Sequence, residues 1–391
     1  MKHRPCYIIF STLATLAVHS GSVWADQPSL IPEKPGQVAP DRNFDLELLE
    51  LDVSLTPDEG KVAGTVTLTL NRLAPGTLVL DQVGLEITNI TQGGRPVNWW
   101  VGQDQVIVDL QSQTLGEQAV VRVEYYGTPR TGLHFRHADS PKGVDEYSEV
   151  WTQGEQQDHR FWFPSWDHPN DRFKYRGSVS VVGEGTEDWR VVTNSGHDMV
   201  NYLVMLAAGP YEEVRHPQNP SIAVWVPPET SPMAVARVLA PVPEMMDHFQ
   251  KRTGVAYPYG SYLQVFVQRF MYTGMENTGA TIEHRRLLVE DSVADTRVRV
   301  EPVIAHELAH QWYGDLLTCR TWQELLLNEG FASFFAYDWM AYAYGDDWHG
   351  SAIRWWFRYS QHPQSLAGRF HQGPDAADNH NVYNKGASVL Q

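Results

Sequence analysis

The run His306-Glu307-Leu308-Ala309-His310, followed after eighteen intervening residues by Glu329, constrains this chain more than any other feature. Positions four apart on an α-helix lie about 40° from one another around the axis, so His306 and His310 project from one face and can hold one metal ion. Glu307 lies beside them on the same turn. A tetrahedral zinc ion that hydrolyses an amide needs three protein ligands, an open position for water, and a nearby carboxylate that is not itself a ligand. The spacing therefore makes His306, His310 and Glu329 the ligands of one zinc ion per chain and Glu307 the base.

With 16 His in 391 residues, a chance His-Glu-x-x-His should occur in roughly 4 of 100 such chains, and a Glu at one fixed later offset lowers that to about 2 in 1000. Local pattern argues the same way. Residues 298–317 read as one long helix, Thr318-Cys319-Arg320-Thr321 breaks it, and a second apolar run over residues 322–344 carries Glu329 about two turns in. Two helices joined by a short connection pack antiparallel, which returns Glu329 to the histidines.

The chain is long enough for two or three domains, and 42% hydrophobic with 20% charged residues is ordinary globular material. A net charge of −17 argues against a nucleic-acid partner or an anionic membrane surface, both of which attract basic patches. Residues 1–25 read as a signal peptide: Lys2, His3 and Arg4 precede an apolar stretch over residues 6–18, and Val23-Trp24-Ala25 offers a cleavage site. That stretch is too short to span a bilayer core of roughly 30 Å. The expectation is an exported protein, periplasmic or extracellular, with no integral membrane segment after processing. Cys6 leaves with the leader, and Cys319, without a CxxC partner, reads as a small buried residue at a helix connection.

Residues 26–42 read as an extended, proline-rich arm. Strands follow. Leu49, Leu51, Val53 and Leu55 alternate with Glu50, Asp52 and Ser54, and Val66, Leu68 and Leu70 with threonines, the period of half-buried antiparallel strands. Similar runs at residues 106–110, 120–125 and 176–182 predict an all-β sandwich or saddle over residues 43–210. A composition shift at Gly209-Pro210 opens a second domain, residues 211–391. There Pro243 opens a helix, residues 262–270 are strand-like, and residues 352–359 form an aromatic-rich core segment. His349, His362, His371 and His380 lack ligand spacing and read as surface or loop residues.

Thr273-Gly274-Met275-Glu276-Asn277 resembles the GAMEN segment of the gluzincin zinc aminopeptidases, the aminopeptidase N and leukotriene-hydrolase superfamily. HELAHQWYGD resembles that family's zinc helix, LNEGFASFF the helix of the third ligand, and Tyr383-Asn384-Lys385-Gly386 its Tyr-x-Lys-Gly. Thr152-Gln153-Gly154-Glu155 and Phe163-Pro164-Ser165-Trp166-Asp167-His168-Pro169 are similar to the end of its β domain. The resemblance implies an α+β multidomain fold, an N-terminal antiparallel β domain followed by a thermolysin-like zinc catalytic domain. Tyr383 would donate a hydrogen bond to the tetrahedral oxyanion. Glu276 and Glu155 would hold the protonated α-amine of a peptide, so the partners are peptides with a free N-terminus. Gly274 and Met275 would align the substrate strand, within a substrate-binding set that includes Gln153 and Asn277.

Three departures stand out. Thr273-Gly274 replaces Gly-Ala, Asn384 stands where many relatives have a glutamate, and the end at Gln391, eight residues after Tyr383, is short of the further helices the family implies, so a catalytic domain truncated at its C-terminus is expected. The leading reading is an exported zinc aminopeptidase. A peptide-binding scaffold or an epoxide-type hydrolase on the same fold is the alternative.

Overall fold

Period-two alternation builds the first half of the chain. Strand β1 (Phe44–Thr56) buries Phe44 and Leu46, shifts register between Leu46 and Leu48, and then buries Leu49, Leu51, Val53 and Leu55. A bulge of this kind inserts one residue and so changes the apolar parity once along the strand. Strand β2 (Lys61–Arg72) returns antiparallel after a turn closed by Gly60, whose φ of 61° lies in the left-handed region that glycine adopts without strain.

The computed structural model describes residues 41–110, 114–138, 146–290, 299–345, 383 and 386–390. The leader, the arm up to residue 40, the aromatic stretch 352–359, Asn384 and the four histidines His349, His362, His371 and His380 lie outside the described residues. After β2 come β3 (Leu78–Asp81), β4 (Leu85–Gln92), β5 (Arg95–Pro96), β6 (Asn98–Val101), β7 (Gln105–Asp109) and β8 (Gln118–Gly127). Then follow β9 (Leu133–Arg136), β10 (Glu149–Thr152), β11 (Arg172–Val181), β12 (Arg190–Thr193), β13 (Asp198–Val200) and β14 (Leu206–Gly209).

These strands form a seven-stranded sheet ordered β13-β11-β1-β2-β8-β4-β5, a four-stranded sheet β12-β14-β10-β9 and a three-stranded sheet β3-β7-β6. The sheets close over one core that includes Leu51, Val66, Val123, Trp151 and Phe163. The domain is antiparallel as expected except at one pair, where β11 lies parallel to β1. Parallel neighbours require a long crossover, and the whole of β2 to β10 supplies it.

The second sheet is ordered β15-β16-β17-β19-β18, from β15 (Glu212–Arg215), β16 (Ile222–Val226), β17 (Tyr262–Val267), β18 (Gly274–Met275) and β19 (Ala280–His284). Its centre is parallel and both edges are antiparallel. Helices α1 (Pro232–Leu239) and α2 (Val242–Thr253) make the crossover from β16 to β17. Ser231 caps α1 by accepting from the Ala234 amide, and prolines fill the first turns of both helices. Helix α3 (Glu301–His310) packs on α4 (Leu326–Tyr344), with Ile304, Leu308, Phe335 and Trp339 in a core shared with Phe249 and Tyr262.

Both helix expectations are corrected at their ends. The first helix stops at His310 rather than near residue 317, because the chain folds back through Gly314, at a φ of 137°, and the Asp315 amide donates to the His310 carbonyl. A side chain at Gly314 would press on the His310 ring. The second helix begins at Leu326 after a 3-10 turn capped by Thr321 and Glu324, so Glu329 stands in its first turn rather than its second. No helix among the described residues is long and apolar enough to cross a membrane.

Two features lock the site between the domains. Met275 and Ile282 of the second sheet are buried in the core of the first domain. The Arg172 guanidinium of β11 donates to the Asp315 and Leu316 carbonyls and to the Thr318 hydroxyl, which fixes the loop that follows the histidine helix.

Candidate active site

Helix α3 presents His306 and His310 one turn apart, and the first turn of α4 presents Glu329 to them. His306 Nε2 lies 3.1 Å from Glu329 Oε2, His310 Nε2 lies 3.4 Å from the same oxygen, and the two Nε2 atoms are 3.0 Å apart. A tetrahedral zinc ion with bonds of about 2.0–2.1 Å sets its donors about 3.3 Å apart, so the three atoms match its coordination sphere. The other ring nitrogens face away. His310 Nδ1 meets the Tyr313 carbonyl at 2.9 Å, and His306 Nδ1 lies 3.5 Å from the Ser333 hydroxyl. Such partners fix ring orientation and leave Nε2 for a metal.

The field at this point also suits a cation. Burial alone would lower the His310 pKa, but Glu276, Glu329 and Glu307 raise it well above the ordinary range. Burial would likewise raise Glu329, yet the two histidines hold it down at about 2. The same carboxylates that favour a proton on His310 favour a divalent ion there. Glu276, Glu307 and His310 also lie close enough to share an ion. The donors of His306, His310 and Glu329 lie within 3.4 Å of one another, whereas Glu276 accepts from the Tyr202 hydroxyl at 3.0 Å.

A cavity of about 500 Å³ opens over this group, lined by Gln153, Glu155, Gly274, Met275, Glu276, His306, Glu307, His310, Glu329 and Tyr383. The structure thus brings together every sequence-predicted site residue except Asn277. That side chain is fully buried, donates to the Leu203 carbonyl at 3.2 Å, and supports the β18–β19 turn rather than the cavity. Cys319 is buried in a small cluster with Leu325, Trp322 and Tyr383 and belongs to neither group close enough to share an ion among the described residues.

Glu307 is buried, and burial first and Glu283 second push its carboxyl well above the usual range. Its side chain fits into the notch left by Gly274, where any Cβ would collide with the carboxylate. Glycine at this position leaves that space to the Glu307 carboxylate. The Tyr383 ring stacks on His306 at 5.8 Å, and burial followed by Glu329, Glu155 and Glu276 keeps the phenol protonated. Glu155 and Glu276 are both pushed up, first by burial, and Glu276 is the largest charge acting on Glu155. One Glu155 oxygen is buried without a partner, as is Gln153 Nε2, whose own Oε1 accepts from the Glu155 amide at 2.9 Å.

Sequence reasoning missed the supports. Tyr202 bridges Glu276 to Asn328, whose amide donates to the Tyr202 hydroxyl at 3.0 Å. Gln311 donates to the Glu276 carbonyl at 3.1 Å and accepts from the Gly279 amide at 2.8 Å. Asn328 and Gln311 adjoin metal ligands, which is a usable signal. Tyr202, buried in the 3-10 turn before β14, carries none, because only the tertiary fold brings its hydroxyl to Glu276 and Asn328.

Two histidines one turn apart, a carboxylate from a second helix and a non-ligating glutamate beside a sheet edge define a zinc site of the HExxH type. Residues 42–194 match the peptidase M1 N-terminal domain and residues 238–391 the peptidase family M1 domain. The chain belongs to peptidase family M1, whose metal is zinc. It is 30% identical over 302 residues to aminopeptidase N of Streptomyces lividans, covering 68% of this chain and 34% of that protein. Over 295 residues it is 28% identical to probable aminopeptidase 2 of Sulfurisphaera tokodaii, covering 71% and 37%.

Among solved structures, yeast LTA4 hydrolase in complex with bestatin superposes with a TM-score of 0.76 at 22% identity, covering 93% of this chain and 61% of that one. An M1 zinc metallopeptidase from Deinococcus radiodurans superposes at 0.69 with 23% identity, covering 90% and 82%. The chain spans about a third of the length of the curated relatives it matches.

Proposed function

We propose that this chain carries the catalytic site of an exported zinc aminopeptidase that hydrolyses the N-terminal peptide bond of peptides. One observation supports the exo reading above all others: Glu155 and Glu276 stand together in the wall of the cavity that holds the ligand set and Glu307. Two buried carboxylates both pushed up by burial, with Glu276 further raising Glu155, call for a cation, and a peptide's α-ammonium is the cation that adjoins a bond to be cut.

When bound, the zinc ion supplies Lewis-acid polarisation and acidifies water. Glu307 takes the proton of the attacking water and returns it to the departing amine. Tyr383, kept neutral, donates its O–H to the developing oxyanion. Gln153 Nε2, buried without a partner, is free to meet a substrate carbonyl. Gly274 and Met275 form the edge strand of the second sheet, whose unpaired backbone groups can align an extended peptide. A binding-only scaffold is not favoured, since it has no use for the proton-handling pair Glu307 and Tyr383.

Hydrolysis of leucine anilide tests this reading. Cleavage should stop with a chelator, return with zinc, and vanish when the amine is acetylated. Efficient cutting of acetylated or internal bonds would refute it. Export is supported by the N-terminal charge and hydropathy pattern. Mass spectrometry of the mature protein should find its N-terminus at or next to Asp26, and an intact Met1 in the active pool would count against export.

A further inference from the structure

The cavity has an anionic end and a cationic end, separated along one strand. Glu276 directly follows β18, which is the outer edge of its sheet and lines the cavity through Gly274 and Met275. Thr273 precedes β18, and its carbonyl accepts from the His284 amide at 2.9 Å. Three residues of extended chain separate Thr273 from Glu276, about 10 Å at the rise of a β-strand.

At the Thr273 end, the Arg286 guanidinium donates to the Thr273 hydroxyl and lines the cavity. Arg286 is exposed, and no carboxylate pairs with it among the described residues. Its neighbours strengthen the sign of the field. Burial and then Arg286, Arg285 and Arg269 hold His284 below its ordinary range, while Arg285 is itself paired with Glu146 at 2.8 Å. Glu155, Glu276, Glu307 and Glu329 are the acidic residues of the cavity lining, and Arg286 is its one permanent cation among the described residues.

We propose that Arg286, aimed by Thr273, is a carboxylate subsite that makes free-acid tripeptides preferred substrates. The proposal rests on the aminopeptidase reading. A peptide with its ammonium at Glu276 and its chain running toward Thr273 lies antiparallel to β18. The carboxylate of its third residue then falls about 10 Å from the ammonium, within reach of Arg286. The acidic side chain of a third residue in a longer peptide presents the same chemistry. Thr273, where the family has glycine, supplies the hydroxyl that holds the guanidinium.

Calorimetry on zinc-loaded Glu307→Gln protein, which should bind without turning over, provides the test. Leu-Gly-Gly should bind about tenfold more tightly than its C-terminal amide, the size of one charge-assisted contact. Adding Arg286→Gln should bring that ratio below about twofold, Thr273→Gly should reduce it partway, and Arg286→Lys should restore part of it. Leu-Gly-Asp amide separates the two sources: binding equal to the free acid assigns the subsite to any carboxylate at the third residue, and weaker binding assigns it to the chain terminus. Equal binding of acid and amide, or a ratio unmoved by Arg286→Gln, would overturn the proposal. If N-acetylated Leu-Gly-Gly bound as well as the free amine, the aminopeptidase reading would fail instead, whatever the acid-to-amide ratio.

Discussion

Glu307→Gln is expected to keep its full complement of zinc and to lose roughly 10²–10⁴-fold in turnover, the usual worth of a positioned acid or base. Glutamine preserves the shape and burial of the side chain but cannot accept and return a proton. The ligand set does not include position 307, so metal analysis should still find one zinc per chain. His310→Ala should behave in the opposite way. It removes a donor that lies 3.0 Å from His306 Nε2 and 3.4 Å from the Glu329 oxygen, and it should lose the metal along with turnover.

Gly274→Ala gives a third pattern. Its new methyl group would meet the Glu307 side chain, so that side chain should shift, and because the family's own segment carries alanine here, zinc should remain and turnover should change far less than in Glu307→Gln. Metal content and turnover measured on the three variants separate base from ligand from support. Full activity in Glu307→Gln would rule out Glu307 as the proton carrier.

Part of this site was legible in the sequence alone, and the reason lies in helical geometry. Histidines four apart must share a face, so the ligand pair needed no tertiary information. Glu329 needed only the inference that two neighbouring helices pack back to back. The helix ends were less legible. Residues 311–317 carry helix-forming apolar residues, and only the Arg172 tether and the fold-back at Gly314 take them out of the helix. The parallel partner of β1 was invisible for a related reason, since alternation reports which face is buried but not which strand lies beside it. Asn277 shows the limit of reading a motif as a unit. Glu276 and Asn277 are adjacent just after β18, yet Glu276 lines the cavity while the Asn277 side chain is fully buried and donates to the Leu203 carbonyl.

Glu155→Ala and Glu276→Ala should each lower kcat/KM for leucine anilide by about 100-fold, near the lower limit for truncating one partner of a buried charge pair. The double variant should lose more than the product of the two single losses. The physical reason is the mutual repulsion of the two carboxylates, because Glu276 is the largest charge raising the Glu155 pKa. Removing either one lets the survivor ionise more readily and hold the ammonium alone, so each single variant is partly compensated and the double is not. Tyr202→Phe should cost less, about 1 kcal/mol, since it removes one neutral donor to Glu276 and leaves its charge in place. A double-mutant cycle on kcat/KM, run beside zinc analysis, measures the coupling directly. Additive losses within about 0.5 kcal/mol would mean that the two carboxylates act on separate parts of the substrate, and the shared ammonium site would have to be abandoned.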